Sequence, residues 1–160
     1  VELRRAPAPI AQIVRSAIAG VGRRDSKRVT LTVDDDGVIN ADAPRLAEAL
    51  TELLRNALAA APDMPVAVRV QTDPVDGRWI LHVADRGPGL SARALAHAFD
   101  PFFSEQEAGR RPGLGLARAR RLIEAHGGRI NLRNGPDSGA VATIVLPAAT
   151  RLRQRGRDVA

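Results

Sequence analysis

The sequence has no cysteine and no tyrosine, a single tryptophan (Trp79) and only 3 phenylalanines. Without thiols there is neither a disulfide framework nor a thiolate metal site, and His82, His97 and His126 are too scattered to form a zinc cluster. Aromatics make up 2% of residues against 44% hydrophobic, so the core must be built from Val, Ile, Leu and Ala. The same scarcity excludes broad stacking platforms for bases. No apolar run approaches the ~20 residues needed to cross a bilayer, and the start, Val-Glu-Leu-Arg-Arg, lacks a signal-peptide pattern. These absences point to the cytosol; a membrane anchor of any parent protein would lie outside this sequence.

What is present suits one domain: 160 residues are enough to bury a real core on one face of a sheet. The net charge of +6, from 24 Lys and Arg against 18 Asp and Glu, favours anionic partners. Nucleotide phosphates qualify, and so does DNA. The most conspicuous basic stretch, Arg151, Arg153, Arg155 and Arg157, follows the last strand-like segment and reads as a solvated tail.

Apolar residues at Ile10, Ile13, Val14, Ala17, Ile18 and Val21 have the spacing of a helix with one buried stripe. Val29 to Val33 and Val38 to Ala41 read as strands joined through the Asp34-Asp35-Asp36-Gly37 turn, and the expectation is a hairpin. Asp42 can cap a long helix with Pro44 in its first turn and Leu46, Leu50, Leu53, Leu54, Ala57 and Leu58 on its apolar face. Strands over Val66 to Thr72 and Trp79 to Ala84 follow, then a short helix capped by Ser91 and a charged, glycine-containing loop from Phe99 to Pro112. A helix from about Gly113 to His126 is stopped by Gly127-Gly128, and strands near Arg129 to Asn134 and Ala140 to Leu146 close the chain. The order predicts an α+β two-layer sandwich, a mixed and mostly antiparallel sheet covered on one face by three main helices.

Four segments carry the chemistry: Glu52-Leu53-Leu54-Arg55-Asn56, Asp85-Arg86-Gly87-Pro88-Gly89, Phe99-Asp100-Pro101-Phe102-Phe103 and Gly113-Leu114-Gly115-Leu116. Glu52 and Asn56 are one helical turn apart and point to the same side, so both can meet one ligand. Alone, the pair would read as a solvated helix face, and Asp85 as part of an ordinary Asp-x-Gly turn. Together and in this order the four resemble the N, G1, F and G2 boxes of the histidine-kinase branch of the gyrase, heat-shock chaperone, kinase and MutL ATPase superfamily. The resemblance covers nearly the whole chain.

That resemblance implies the Bergerat ATP-binding fold and the catalytic domain of a two-component sensor histidine kinase, with ATP and Mg2+ as its cofactors. Residues 1–9 would be a linker from a helical dimerisation hairpin, 10–148 the ATP-binding domain and 149–160 a basic tail. Glu52 would assist the acceptor imidazole, Asn56 would complete a magnesium shell, and Asp85 would accept from the adenine amine. Gly87, Gly89 and Leu90 would line the base and ribose side. Gly113, Leu114, Gly115 and Leu116 would meet the phosphates at a helix start, with Arg110 and Arg111 clamping them from a mobile lid. Phe99, Phe102 and Phe103 would dock the lid or partner helices rather than touch the nucleotide. None of the histidines fits the phosphate-accepting motif, and His126 would suit a helix C-terminus as a cation.

The partners implied are the hairpin that carries the acceptor histidine and a downstream response regulator, with no nucleic acid and no membrane contact by this domain. The isolated domain would be a cytoplasmic monomer, and the parent a dimer that can be anchored in the inner membrane. Three departures stand out: Ala59 where the N box commonly has a basic residue, Arg111 where the glycine-rich box often has another glycine, and Ala140 where Thr often follows the glycine. Ala59 and Arg111 motivate one alternative, an ATP- or ADP-sensing module without catalysis; a serine kinase like the anti-sigma-factor relatives is another, and a DNA-binding role for the arginine tail comes last.

Overall fold

The computed structural model describes residues 1–103 and 114–148. Its elements are β1 (Ala6–Pro9), α1 (Ile10–Gly20), α2 (Arg23–Ser26), β2 (Val29–Val33), β3 (Val38–Ala41), α3 (Ala43–Ala60), β4 (Val66–Thr72), β5 (Trp79–Ala84), α4 (Ala92–His97), α5 (Gly115–Ala125), β6 (Arg129–Asn134) and β7 (Ala140–Leu146). A five-stranded sheet runs in the order β2-β4-β5-β7-β6, and a separate two-stranded ribbon joins β1 to β3. Among the described residues only β2 and β4 pair in parallel; β4 with β5, β5 with β7 and β7 with β6 are antiparallel. The architecture is the expected α+β sandwich.

One expected pairing is overturned. β2 and β3 do not form a hairpin: β3 pairs antiparallel with β1, Ala6 opposite Ala41, while β2 lies parallel to β4, Val29 opposite Val66. The turn residues explain the split, because they bind β4 instead of closing the hairpin. The Asp34 N–H reaches the Val70 carbonyl at 2.9 Å, and the Asp35 carboxylate accepts from the Thr72 N–H at 2.8 Å. Pro7 and Pro9, which cannot donate to a ladder, are tolerated because β1 belongs to a ribbon and not to the sheet interior.

The sheet alternates as a half-covered sheet should. Val66, Val68, Val70, Trp79, Leu81, Val83, Ala142, Ile144 and Leu146 face the helices and are buried, whereas Arg69, Asn131 and Arg133 look outward. α3 packs between α1 and α5. Its Leu46, Leu50, Leu53, Leu54, Ala57 and Leu58 enter the core, each large side chain contributing about 1.5–3 kcal/mol by leaving water. Asp42 caps α3 by accepting the Arg45 N–H at 3.2 Å, and Ser91 caps α4 through the Ala94 N–H at 3.0 Å.

The far end of α3 has no cap of its own. Arg28, just before β2, donates to the carbonyls of Leu58 at 3.1 Å, Ala61 at 2.7 Å and Met64 at 3.0 Å. A cation from a distant segment thus satisfies the carbonyls at the helix end and just beyond it. None of the helices formed by the described residues is long and apolar enough to cross a membrane.

Candidate functional site

A cleft of about 700 Å³ opens between α3, the end of β5 and the start of α5. Its walls include Glu52, Asn56 and Ala59 from α3, Asp85 after β5, Gly89 and Leu90 from the following loop, Phe103, and Leu114, Gly115 and Leu116 at the α5 start. The volume falls in the range of small-ligand sites. Arg110, Arg111 and Gly113, expected at the phosphate end, lie outside the described residues.

Buried apolar neighbours on α3 fix the direction of Glu52 and Asn56: with Leu53, Leu54, Ala57 and Leu58 in the core, the polar pair must face the cleft side. Glu52 Oε1 accepts from Arg55 at 3.2 Å, and Arg55 also reaches the Gly20 carbonyl at 3.2 Å. Among the described residues nothing hydrogen-bonds the Asn56 side chain. Its amide oxygen is available to a ligand or an ion. A single neutral oxygen beside one carboxylate suits a magnesium ion held mainly by a ligand's own oxygens, not a protein-only metal cage. No group of three His, Cys, Asp or Glu among the described residues could make such a cage.

Asp85 is held rigidly. Its Oδ1 accepts the Gly87 N–H at 2.9 Å and the Ala140 N–H at 3.1 Å, leaving Oδ2 for a donor in the cleft. Two glycines make this packing possible. A Cβ on Gly139 would lie 2.1 Å from the Asp85 carbonyl oxygen, and one on Gly87 would lie 2.9 Å from the Ala60 carbonyl. At the opposite wall, a Cβ on Gly115 would stand 2.5 Å from Glu52 Oε2, so any side chain there would push the end of that carboxylate aside.

Gly87 packs beneath the loop on Ala60 and does not itself line the cleft, whereas Gly89, Leu90, Leu114, Gly115 and Leu116 do. Phe103, expected away from the ligand, is part of the wall, and Arg93 sits 5.7 Å from its ring centre. Phe102 is exposed, and Phe99 lies under Arg120 at 5.6 Å. Sequence reasoning also missed Arg118. It lines the cleft one turn into α5 and pairs with Glu48 of α3.

The histidines lie outside the cleft. His82 Nε2 is 3.3 Å from Gln71 Nε2 and its Nδ1 is 3.2 Å from Thr143 Oγ1, while His97 contacts Asp100 at 2.8 Å. His126 is buried. Its Nδ1 can only donate to the Leu122 carbonyl at 2.7 Å, and its Nε2 accepts the Asp42 N–H at 3.1 Å. The imidazole at the end of α5 therefore bridges that helix to the start of α3 in the interior.

Comparison with known proteins places these features. The family model described as histidine kinase-, DNA gyrase B- and HSP90-like ATPase matches residues 41–150. The sensor protein DivL of Caulobacter vibrioides is 38% identical over 122 residues, which cover 74% of this chain and 16% of DivL. The sensor histidine kinase component HK1 of Mycobacterium tuberculosis is 34% identical over 141 residues, covering 87% of this chain and 82% of HK1. Full-length ShkA, solved in complex with AMPPNP, superimposes with a TM-score of 0.79 at 28% identity, over 93% of this chain and 32% of ShkA. The chain thus spans about a sixth of the length of DivL.

Proposed function

This chain belongs to the histidine kinase-, DNA gyrase B- and HSP90-like ATPase family, as a catalytic domain of the histidine-kinase kind, and on that premise we propose that its cleft binds Mg-ATP and donates the γ-phosphoryl group to a histidine on a dimerisation hairpin outside the chain. The observation that carries this reading is convergence: Glu52 and Asn56 of α3, Asp85 after β5 and Gly115 at the start of α5, three segments far apart in sequence, share one cleft. The AMPPNP bound to ShkA, an adenine nucleotide analogue on the same fold, supports it.

Asp85 Oδ2 would accept from the adenine amine and so favour adenine over guanine, because Oδ1 is already occupied by backbone donors. The N–H groups that open α5, with Leu114, Gly115 and Leu116 in the wall, would receive phosphate, aided by Arg110, Arg111 and Gly113. Asn56 would hold magnesium through its amide oxygen, the ion supplying charge neutralisation at the phosphates. In transfer, a bond forms between the acceptor imidazole nitrogen and the γ-phosphorus while the bond to the bridging oxygen of the departing ADP breaks. Glu52 would take the imidazole proton. The partners that follow are the hairpin, a dimeric parent kinase and a response regulator; residues 1–9, whose Ala6–Pro9 stretch is packed against β3, would lead on to the hairpin. A cytoplasmic site of action completes the reading.

Calorimetric titration with ATP and GTP, with and without magnesium, tests the binding half. Asn56→Ala should abolish magnesium-dependent ATP binding, and unaltered binding would remove Asn56 from the site. Ala59 favours a second reading, a sensing module without catalysis: its methyl group lines the cleft where a cation would have helped hold phosphate. Adding the cognate hairpin decides between the two. Phosphohistidine supports the kinase, and tight binding without transfer supports the sensor.

A further inference from the structure

The loop from Asp85 to Leu90 forms the base side of the cleft, and its two ends are anchored differently. At the near end Asp85 is tied to Ala140 of β7 through its N–H at 3.0 Å and its Oδ1 at 3.1 Å. The far end depends on Asn134, the last residue of β6, which lies outside the cleft wall. Asn134 Oδ1 accepts the Leu90 N–H at 2.7 Å, and Asn134 Nδ2 donates to the Leu90 carbonyl at 3.0 Å. One side-chain amide therefore pairs with both backbone groups of Leu90, as a neighbouring strand would.

Gly89 shows how close this clamp sits to the loop. Its φ is +82°, and a Cβ there would meet Asn134 Oδ1 at 2.9 Å. Leu90 is followed directly by Ser91, the cap of α4, so the clamp also sets where that helix begins. No other hydrogen bond from a described residue reaches the backbone of Gly89 or Leu90.

We propose that Asn134 is a positioning residue for adenine recognition: by clamping Leu90 it holds the Asp85–Leu90 loop at the distance from α5 that the base requires. This rests on the nucleotide reading above and adds a residue that never touches the ligand. Asn134 is exposed, so its bonds compete with water, and the effect is a few-fold change rather than a complete loss.

The test is calorimetric titration of the chain and its Asn134→Ala variant with ATP and with inosine triphosphate, which lacks the exocyclic amine. The wild type should prefer ATP. The variant should bind ATP about fivefold more weakly, lose less affinity for inosine triphosphate, and so show a narrower preference with unchanged magnesium dependence. Asn134→Asp keeps the acceptor for the Leu90 N–H but sets oxygen against oxygen at its carbonyl. It should shift the preference in the same direction, and it gives the answer if the alanine variant does not fold. Wild-type affinity and preference in a folded variant overturn the proposal. So does a lowered melting temperature with an unchanged preference, which would mark a residue of the fold alone. A wild-type chain that binds no adenine nucleotide overturns the nucleotide reading itself, an outcome distinct from variants that match a binding wild type.

Discussion

The imidazole of His126, at the end of α5, accepts the backbone N–H of Asp42 at the start of α3, across 3.1 Å in the interior. Asp42 in turn accepts the Arg4 N–H at 2.9 Å, so the N-terminal segment, α3 and α5 meet at one joint. His126→Ala would strand the buried Asp42 N–H and leave a void beside Leu122. The expected cost is about 2–4 kcal/mol of folding stability, read from urea unfolding. A loss below about 1 kcal/mol would show that water or a neighbour takes over the contact.

His82 gives the fold a pH dependence of a defined sign. Burial, then the Arg133 and Arg69 guanidiniums, hold its imidazole below the ordinary value of 6.5. The unfolded chain therefore binds a proton in a range where the folded chain does not. Stability is complete above the ordinary value and declines as pH falls from there toward the lowered one, below which the difference stays constant. His82→Gln should flatten this slope. Urea midpoints measured at about pH 7.5 and about pH 5.5 should separate less for the variant than for the wild type, and equal separations would count against His82 as the source.

Arg28 belongs to no motif, yet its guanidinium holds the last turn of the helix that carries Glu52 and Asn56. Arg28→Ala should cost about 2 kcal/mol, and Arg28→Lys should restore only part of it, because one ammonium would replace three nitrogens, of which Nη2 serves the carbonyls, Nε also reaches the Met64 carbonyl at 3.2 Å and Nη1 pairs with Asp25 at 3.3 Å. Thermal unfolding of the two variants checks the order. Lys equal to Arg would mean that charge alone suffices.

How far these features could be read in advance depends on the range of the interactions. α3 was legible because its stripe from Leu46 to Leu58, its Asp42 cap and its Pro44 are all local. Strands β4 and β5 announce themselves by alternation, and the convergence of Glu52, Asp85 and Gly115 was visible as ordered motifs. The partner of β3 was not, since alternation marks a strand without saying what it pairs with, and the aspartates of the turn serve Val70 and Thr72 instead. Arg28 and Asn134 escaped for a related reason. Both act on backbone carbonyls or N–H groups far away in the chain, a role that leaves no pattern in the residues around them.

Gly115 offers a way to separate binding from transfer. The Cβ of an alanine there would press on Glu52 Oε2 at 2.5 Å, the far end of a flexible side chain, so the carboxylate moves while the backbone stays. Alanine at a helix start is tolerated, and stability should change by less than about 1 kcal/mol. If Glu52 takes the proton of the acceptor imidazole, its displacement should slow phosphohistidine formation by about a hundredfold while ATP affinity changes by less than about threefold. Parallel titration and transfer assays of Gly115→Ala with the cognate hairpin read the two quantities. Equal losses in both would place the fault in nucleotide binding at the α5 start and take the proton-accepting role from Glu52.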